Sequence, residues 1–538
     1  MNTKTPSKPL SYLALGVVLA LVLVVRFRLL SVPLERDEGE FAYIGQLLLK
    51  GISPFTHAYT MKLPGVGVVY ALFISVFGQS VAGIHLGLLL ANLACVLLVF
   101  LLGRRLFDPA TAALSAASYA VLSLSLGVYG AHAHATHFVV LFALAGFLLL
   151  LLGTERLSLA AVSASGLCFG LAFTMKQHAV AMIGFAFIYL VWRDWSRAEV
   201  KRFLLKSLPL FMIFAALPYL LILLVMAKGG ALGNFWFWTV QYPSAYVSET
   251  GFGRGFRNFT YSFWPMLLLQ FPFWLLAAAG SLLVLGQEFH CGDRKFLLGF
   301  MLFSFLAICP GLYFREHYFV MLLPAVALSA AAGATAALSR LSRSGRTLPM
   351  QQAIPVLLVL AGVLYNAFQE KEYLFKLDPQ QVSRLAYADN PFPESVQVAR
   401  YLKEHTKPED RIAVLGSEPQ IYFYAERLSA TGHIYMYGLM EEQPHAVRMQ
   451  EQMIAEIEKA RPAYVVDVHV AKSWLAGPAP KGPVQEWRER YLKSGYELVG
   501  VTDIVDSFTT RYLWDGAARG YTPVSHAYLN IYKRKGGA

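Results

Sequence analysis

The chain has 538 residues, of which 56% are hydrophobic, 14% aromatic and only 15% charged, with a mean hydropathy of +0.48. Soluble globular domains carry about 25% charged residues, so this composition excludes a purely water-soluble protein. Residues 369–538 hold 21 basic and 22 acidic side chains, whereas residues 1–368 hold 25 basic and 12 acidic ones. The positive excess therefore lies in the hydrophobic part, which is typical of membrane loops and leaves no basic stripe for nucleic acid.

Apolar runs of about 16 to 24 residues recur along the first two thirds of the chain and predict membrane spans. They lie at about 10–30, 80–102, 111–128, 137–152, 159–175, 178–192, 207–226, 264–286, 296–312, 319–338 and 353–368. The first run lacks a small-residue cleavage site, so we expect a retained span. The run 64–78 begins at a proline and is either re-entrant or a further span. The predicted fold class is an α-helical polytopic membrane protein with about eleven spans, and at most thirteen, followed by a soluble α/β domain.

The basic residues of the short loops predict the orientation. With a cytoplasmic N-terminus, 15 of the 25 basic residues of this part lie inside and ten outside, as the positive-inside rule favours. An odd number of spans then places the tail outside the membrane. The ten outer cations require a local reason, and an anionic ligand is the simplest one.

The division predicted is a transmembrane domain over 1–368, with outer loops 31–79 and 227–263, and an outer α/β domain over 369–538. In the tail, helical patterns at 394–405 and 444–460 alternate with strand patterns. The strands are predicted at 411–416, 463–470, 496–503 and 527–533.

The first predicted outer loop is strongly acidic. Four carboxylates occupy six positions directly after the first span, and they belong to Glu35, Asp37, Glu38 and Glu40. Either this is a charge-rich solvated loop, or its carboxylates supply a general base and a ligand for a cation or hydroxyl. The second interpretation follows because low-dielectric surroundings and like charge raise at least one carboxyl pKa.

Histidines mark the next predicted outer loop, at His132, His134 and His137. On a strand this spacing would suit zinc, but a helix–helix turn is predicted here. Hydrogen bonding to a polar ligand and a plain interfacial role therefore stay open beside metal binding. The four cysteines are irregularly spaced and predict neither a disulfide framework nor a zinc site.

Cations and aromatic residues complete the predicted outer face. Lys176, at the outer end of the fifth span, either snorkels to lipid phosphates or binds a specific anion. A tight polar turn follows at 313–318, and the loop 227–263 carries Arg254 and Arg257 among aromatic residues typical of a membrane interface. Carboxylates, histidines and cations on one face suit a lipid-linked phosphate substrate.

Several motifs resemble those of one family. They are the Asp37-Glu38 pair, Met61–Gly65 leading to Phe77-Gly78, Gly103–Phe107, Lys176 in a Met-Lys-Gln context, Arg315–Tyr318 leading to Pro324, and Asp410–Pro419 followed by Ile421–Phe423. Their order over most of 26–470 resembles integral-membrane glycosyltransferases of the C superfamily. The similarity is greatest to the bacterial aminoarabinose transferase and protein O-mannosyltransferase-like group.

The resemblance implies transfer of a hexose or pentose from a polyprenyl-phosphate carrier to an outer-face acceptor, which would be lipid A, a glycan or a protein. The expected place is the bacterial inner membrane, and the expected outcome is inversion. Asp37 would be the general base, with Glu38 orienting it or the sugar. Donor phosphate would be bound by Lys62, Lys176, Arg254, Arg257 and Tyr318. Substrate contacts would come from His57, His137, Gln177, Arg315, Glu316 and His317.

One departure and two alternatives remain open. Family members often present an acidic residue where this chain has Thr136-His137, so either the histidine takes a neutral hydrogen-bonding part or the correspondence is shifted. No cofactor is expected, and a divalent metal is compatible but not required. The alternatives are a transporter or flippase of a lipid-linked or anionic solute, and a non-catalytic subunit whose tail binds a partner. Span centres nearly free of charge argue against a transporter.

Overall fold

The computed structural model describes residues 6–192, 198–247, 250–285, 294–342, 349–475 and 482–536. The chain folds into two compact units. The first unit comprises Met1–Leu30, His85–Leu224 and Val247–Lys376. The second comprises Ser31–Ile84, Val225–Tyr246 and Leu377–Ala538.

The first unit is helical, and each predicted span overlaps a helix or a pair of helices. The α-helices are Lys8–Arg28, Val81–Leu106, Pro109–Leu122, Ala135–Arg156, Leu159–Met175, Val180–Val191, Ala198–Lys228, Phe252–Leu269, Phe271–Leu285, Arg294–Ile308, Leu323–Ser342 and Ile354–Gln369. Short 3₁₀ segments lie between them at Leu126–Val128, Gln177–Ala179, Pro310–Leu312, Glu316–Met321 and Pro349–Ala353, and a π-helical turn at Glu372–Lys376.

Several of these helices are long and apolar enough to cross a bilayer. Within the described residues, five qualify by themselves, and a bent pair counts as a sixth. Shorter apolar helices, such as Pro109–Leu122 and Leu159–Met175, supplement them. The fold class, a multi-pass helical protein with a C-terminal α/β domain, is confirmed. The number of eleven spans stays a prediction.

The predicted span 264–286 is not one continuous helix. Phe252–Leu269 and Phe271–Leu285 meet at an angle of 100°. Gln270 lies at the break, fully buried, where its side-chain amide donates to the carbonyl of Leu122 at 3.2 Å. Pro272 lacks a backbone donor and disfavours helical geometry in the residue before it. Hydropathy alone does not register this bend, because the residues on both sides are apolar.

One glycine of the first unit allows two helices to pack closely. A Cβ atom at Gly280 would lie 2.0 Å from the carbonyl oxygen of Ser329, so only glycine permits this approach of two helices.

Arg26 and Arg28, two of the ten predicted outer cations, donate to backbone carbonyls. Arg26 reaches the carbonyl of Gly130 at 3.1 Å, and Arg28 that of Leu374 at 3.0 Å. For these two arginines the backbone carbonyls supply a local reason for a basic side chain.

The second unit combines two shorter segments of the chain, 31–84 and 225–246, with the tail. Its α-helices are Arg36–Leu49, Pro54–His57, Gly65–Phe77, Leu232–Trp236, Tyr242–Val247, Pro379–Tyr387, Phe392–Glu404, Gln420–Ala425, Tyr437–Met440, Ala446–Ala460 and Val484–Gly495. A π-helical segment spans Phe237–Gln241, and 3₁₀ turns lie at Ala471–Ser473 and Asp515–Ala517.

The tail contains one mixed six-stranded sheet. Its strands are β1 (Arg411–Leu415), β2 (Leu428–Ser429), β3 (Tyr464–His469), β4 (Tyr496–Ile504), β5 (Thr510–Trp514) and β6 (Tyr528–Arg534), in the order β2-β1-β3-β6-β4-β5. β1 pairs with β2 and β3 in parallel, and the remaining pairs are antiparallel. The four predicted strands are present within one or two residues of their expected bounds. β2 and β5 were not predicted, because β2 has two residues and no residue of β5 is buried.

Aromatic packing joins the segments 31–84 and 225–246 to the tail. Tyr59 stacks on Trp238 with ring centroids 5.4 Å apart and lies edge-on to His433 at 4.9 Å. Its hydroxyl donates to Glu456 at 2.7 Å. The sequence assigned both segments to the domain 1–368 because they lie between apolar runs. Hydropathy does not predict the aromatic contacts between these segments and the tail, because those contacts depend on tertiary structure.

Candidate active site

The helix Arg36–Leu49, the acidic helix, begins with a capping box. The carboxylate of Glu35 accepts from the backbone N–H of Glu38 at 2.8 Å, and the carboxylate of Glu38 accepts from that of Glu35 at 3.1 Å. Both side chains are buried. Reciprocal capping satisfies two amide donors that the first turn of a helix leaves open. Glu38, predicted to orient Asp37 or the sugar, therefore fixes the helix start from which Asp37 projects.

Lys62 lies between two carboxylates of the acidic helix. Its ammonium nitrogen is 2.6 Å from Asp37 Oδ1 and 2.5 Å from Glu40 Oε2. Residues three apart on a helix share a face, so one cation can bind both. The ammonium also faces the rings of Phe41 at 4.8 Å and Tyr435 at 5.3 Å.

Burial distinguishes the four carboxylates of this motif. The side chain of Asp37 is 20% exposed and that of Glu40 3%, while Glu38 is fully buried. Burial, and then the charges of Asp37 and Glu38, raise the pKa of Glu35 well above its usual range. Burial also raises the pKa of Glu40, against the opposing charge of Lys62. Asp37 is thus the most exposed carboxylate of the acidic motif.

Lys62 stays charged in spite of its surroundings. Burial works against the ammonium, but the carboxylates of Asp37 and Glu40 raise the pKa of Lys62 above its ordinary value. A nearby cation favours the ionised form of a carboxylate. Lys62 therefore places a positive charge directly beside the carboxylates of Asp37 and Glu40.

A second group of predicted residues lies in the first unit. Lys176 follows the helix Leu159–Met175 in an extended conformation, and its ammonium faces the ring of Tyr318 at 4.1 Å. His178 contacts the same ring edge-on at 4.7 Å, and His317 contacts it at 4.8 Å. His317 stacks on His134 with centroids 4.1 Å apart. Lys176 and Tyr318, predicted separately, are thus brought together.

The remaining predicted residues are more dispersed. Arg254 and Arg257 are exposed on the helix Phe252–Leu269, and Arg315 is exposed beside the ring of Tyr313. His137 is buried in the helix Ala135–Arg156, and Glu316 accepts from Ser262 at 3.4 Å.

His57 and Gln177, also predicted to contact substrate, lie in different units. His57 is half-buried, with Nδ1 2.8 Å from the hydroxyl of Thr56, and burial lowers its pKa. Gln177 starts a 3₁₀ turn next to Lys176 in the first unit.

Glu40 and Tyr435, which both lie against the Lys62 ammonium, were not predicted as site residues. Glu40 stands three positions after Asp37 in the acidic run, and helical spacing could have identified it. Tyr435 gives no comparable signal, since it lies in the tail almost 400 positions further along the chain. Its pKa is raised by burial and then by the charge of Asp37, which places the hydroxyl in the electrostatic range of that carboxylate.

The carboxylates of Asp37 and Glu40 lie close enough to the same ammonium that they could together bind a metal ion in its place. Oxygen ligands of this kind suit Mg²⁺ or Ca²⁺. However, the Lys62 ammonium already lies within hydrogen-bonding distance of both carboxylates. A cation bound between them would have to displace that ammonium.

The structure resembles known membrane glycosyltransferases over nearly its whole length. It matches apo ArnT from Cupriavidus metallidurans with a TM-score of 0.59 and 16% identity, covering 96% of this chain and 97% of that one. ArnT from the same organism bound to undecaprenyl phosphate gives a TM-score of 0.58 with the same identity and coverage. Archaeal oligosaccharyltransferase AglB from Archaeoglobus fulgidus, in complex with an inhibitory peptide and a dolichol-phosphate, gives 0.58 at 13% identity, covering 96% of this chain and 75% of that chain.

These matches define the class of fold. The chain has the fold of integral-membrane glycosyltransferases of the C superfamily, and the resemblance predicted from its motifs is confirmed. Residues 61–222 also match the family model described as dolichyl-phosphate-mannose-protein mannosyltransferase. Among curated proteins, no sequence matched the chain significantly.

Proposed function

We propose that the protein transfers a sugar from a polyprenyl-phosphate-linked donor to an acceptor on the outer face of the bacterial inner membrane. The acceptor is lipid A, a glycan or a protein, and the anomeric carbon is inverted. Undecaprenyl phosphate bound to ArnT and dolichol-phosphate bound to AglB support this donor class, since both are polyprenyl phosphates.

The observation that carries the proposal is the partial exposure of Asp37 beside a charged lysine. Asp37 would accept the proton of the acceptor nucleophile as that nucleophile attacks the anomeric carbon and the carrier phosphate departs. Lys62 supports this role because its ammonium lies 2.6 Å from the Asp37 carboxylate, and a nearby cation favours the ionised form of a carboxylate. A positioned carboxylate base contributes about 10²–10⁴-fold in rate, and attack opposite the leaving group gives inversion.

Lys176 and Tyr318 would bind the departing phosphate. A phosphate oxygen can pair with the ammonium while the phenol hydroxyl donates a hydrogen bond, and such donors stabilise the charge that develops on a leaving group. Lys62 was also predicted to bind phosphate. Since Lys62 already contacts two carboxylates, its first role in this proposal is to stabilise Asp37. An ammonium has three N–H donors, so the third would be available for a phosphate oxygen.

The experiment is turnover by the purified full chain in lipid nanodiscs with undecaprenyl-phosphate-linked sugars, measured as release of undecaprenyl phosphate. We expect Asp37→Asn to lower kcat by about 10²–10⁴-fold while undecaprenyl phosphate binding is retained. Glu442→Gln, a change in the tail, serves as the control. Near-normal kcat in Asp37→Asn would exclude Asp37 as the base. No release with any hexose or pentose donor would contradict the proposed reaction.

A further inference from the structure

Arg36 occupies the edge of the tail sheet where open α/β sheets ordinarily bind ligands, outside the carboxyl ends of parallel strands. Its Nε donates to the carbonyl of Ser417, two residues after the end of β1, at 2.6 Å. Nη2 donates to Glu418 at 3.1 Å and to Asn390 at 2.9 Å, and Nη1 donates to the hydroxyl of Tyr437 at 2.8 Å. The arginine is 7% exposed and Glu418 is fully buried.

The acceptors of Arg36 are themselves held in place. Glu418 Oε2 accepts from the hydroxyl of Ser473 at 2.7 Å, and the backbone N–H of Ser417 donates to that same hydroxyl at 2.8 Å. Ser473 follows β3, so both parallel strands contribute to the network. A planar guanidinium with directed donors is fixed in orientation by such a site, whereas an ammonium would not be.

Arg36 is the first residue of the acidic helix, and Asp37 is the second. The rest of the helix is also docked on the tail. A Cβ at Gly39 would lie 2.6 Å from the backbone nitrogen of Gln420, and the hydroxyl of Tyr43 accepts from the backbone N–H of Ser429 at 2.9 Å. Rotation of the helix about its axis is therefore restricted at its start and along its length.

We infer that Arg36, bound by Glu418 at the carboxyl ends of β1 and β3, is a positioning residue that sets the direction of the Asp37 carboxylate. The α/β domain then serves as the scaffold of the base, and this crevice of the sheet is filled by the chain's own arginine. The inference rests on the proposed function, because it assigns Asp37 a proton-accepting role.

The first test compares conservative variants in the full chain. Arg36→Lys keeps the positive charge but loses the planar guanidinium with its fixed N–H donors. Glu418→Gln keeps the shape of the side chain but loses its negative charge. We expect each to lower kcat by about 10–100-fold, as displacement of a reacting group by about 1 Å does, with undecaprenyl phosphate affinity within about twofold of wild type. Arg488→Lys is the matched control, because Arg488 lies 3.5 Å from the buried Asp467 of the same unit. We expect it to change kcat by less than about threefold.

The second test separates positioning from general stabilisation. In an Asp37→Asn background, Arg36→Lys should lower the residual kcat by less than about threefold, since the group it positions has been removed. A purely structural role would cost the same factor in both backgrounds. Should Arg36→Lys prevent folding, Tyr437→Phe and Asn390→Ala, which each remove one acceptor, replace it.

The outcomes are distinct. Wild-type kcat in the folded variants, or an equal loss in both backgrounds, would overturn the inference while the proposed transfer stands. Absence of sugar transfer by the wild-type chain would remove the proposed function and the inference with it.

Discussion

The ammonium of Lys62 lies 2.6 Å from Asp37 Oδ1, although 25 positions separate the two residues in the chain. From the sequence, Lys62 is expected to bind the carrier phosphate and Asp37 to act on the acceptor. In the structure the two side chains form one ion pair. Proximity of this kind makes their functions interdependent, because a change in either charge alters the protonation equilibrium of the other.

Replacement of Lys62 should shift the pH dependence of turnover. In Lys62→Met the carboxylates of Asp37 and Glu40 lose their cation, and the pKa of Glu40, which the ammonium now lowers against burial, rises further. Without the ammonium the two neighbouring carboxylates repel each other uncompensated, and a higher pH is needed to ionise both. The acidic limb of the kcat/KM profile should therefore move to higher pH. The exposed Lys50, at the end of the same helix, provides the control Lys50→Met. Superimposable profiles for Lys62→Met and wild type would contradict the electrostatic role.

Lys176→Ala should weaken undecaprenyl phosphate binding. A compact ammonium paired with phosphate in partly excluded solvent contributes about 1–3 kcal/mol, which corresponds to roughly 5–150-fold in Kd. Tyr318→Leu should weaken binding as well, since it removes the ring and hydroxyl that face the ammonium. Native mass spectrometry or a fluorescent polyprenyl phosphate in nanodiscs would measure the affinities.

The exposed arginines give the comparison for that measurement. Arg254→Ala and Arg257→Ala should each change Kd by less than about threefold, since exposed charges are strongly screened. Equal losses for Lys176 and the two arginines would favour a general interaction with lipid headgroups.

The sequence predicted the parts of the fold that depend on local composition. The long apolar runs gave the helices, and RIAVL and YVVDVH gave β1 and β3, because burial on both faces leaves continuous apolar residues. What it could not predict depends on tertiary contacts. Arg36 looked like one charge in an acidic loop, and its binding site is made by Ser417, Glu418 and Asn390, more than 350 positions away. The bend at Gln270 was missed for a related reason, since one buried amide does not lower the mean hydropathy of the run.

Chelation should leave turnover largely intact. Lys62 supplies positive charge between Asp37 and Glu40, where a divalent cation would otherwise neutralise them. We expect kcat in EDTA to stay within about twofold of its value in Mg²⁺. A loss of more than tenfold that Mg²⁺, Mn²⁺ or Zn²⁺ restores would require a metal site, and the Lys62→Met variant would show whether it is this one.

The tail should lie on the outer side of the cytoplasmic membrane, as the odd number of predicted spans and the predicted cytoplasmic N-terminus indicate. Phe508 is 81% exposed in the turn between β4 and β5, so Phe508→Cys provides a reporter. In a background without the native cysteines, a membrane-impermeant maleimide should label it in spheroplasts without lysis. Glu199→Cys, in a predicted inner loop, should be labelled only after lysis. The reverse pattern would place the tail and the acidic helix on the cytoplasmic side.

Acidification should destabilise the second unit through His433. This side chain is buried against Tyr59 and Trp238, and burial lowers its pKa to about 4, although Glu456 works in the opposite direction. An unfolded histidine has a pKa of about 6.5, so between pH 6.5 and 4 the unfolded state binds more protons and stability falls as pH falls. The slope reaches at most about 1.4 kcal/mol per pH unit. Glu456, whose pKa lies below its ordinary value of 4.5, adds to the loss once the pH falls below that value.

Thermal unfolding between pH 5 and 6.5 should therefore show a flatter pH dependence for His433→Gln than for wild type, while the exposed control His526→Gln keeps the wild-type slope. Equal slopes in all three proteins would assign the acid sensitivity to other groups.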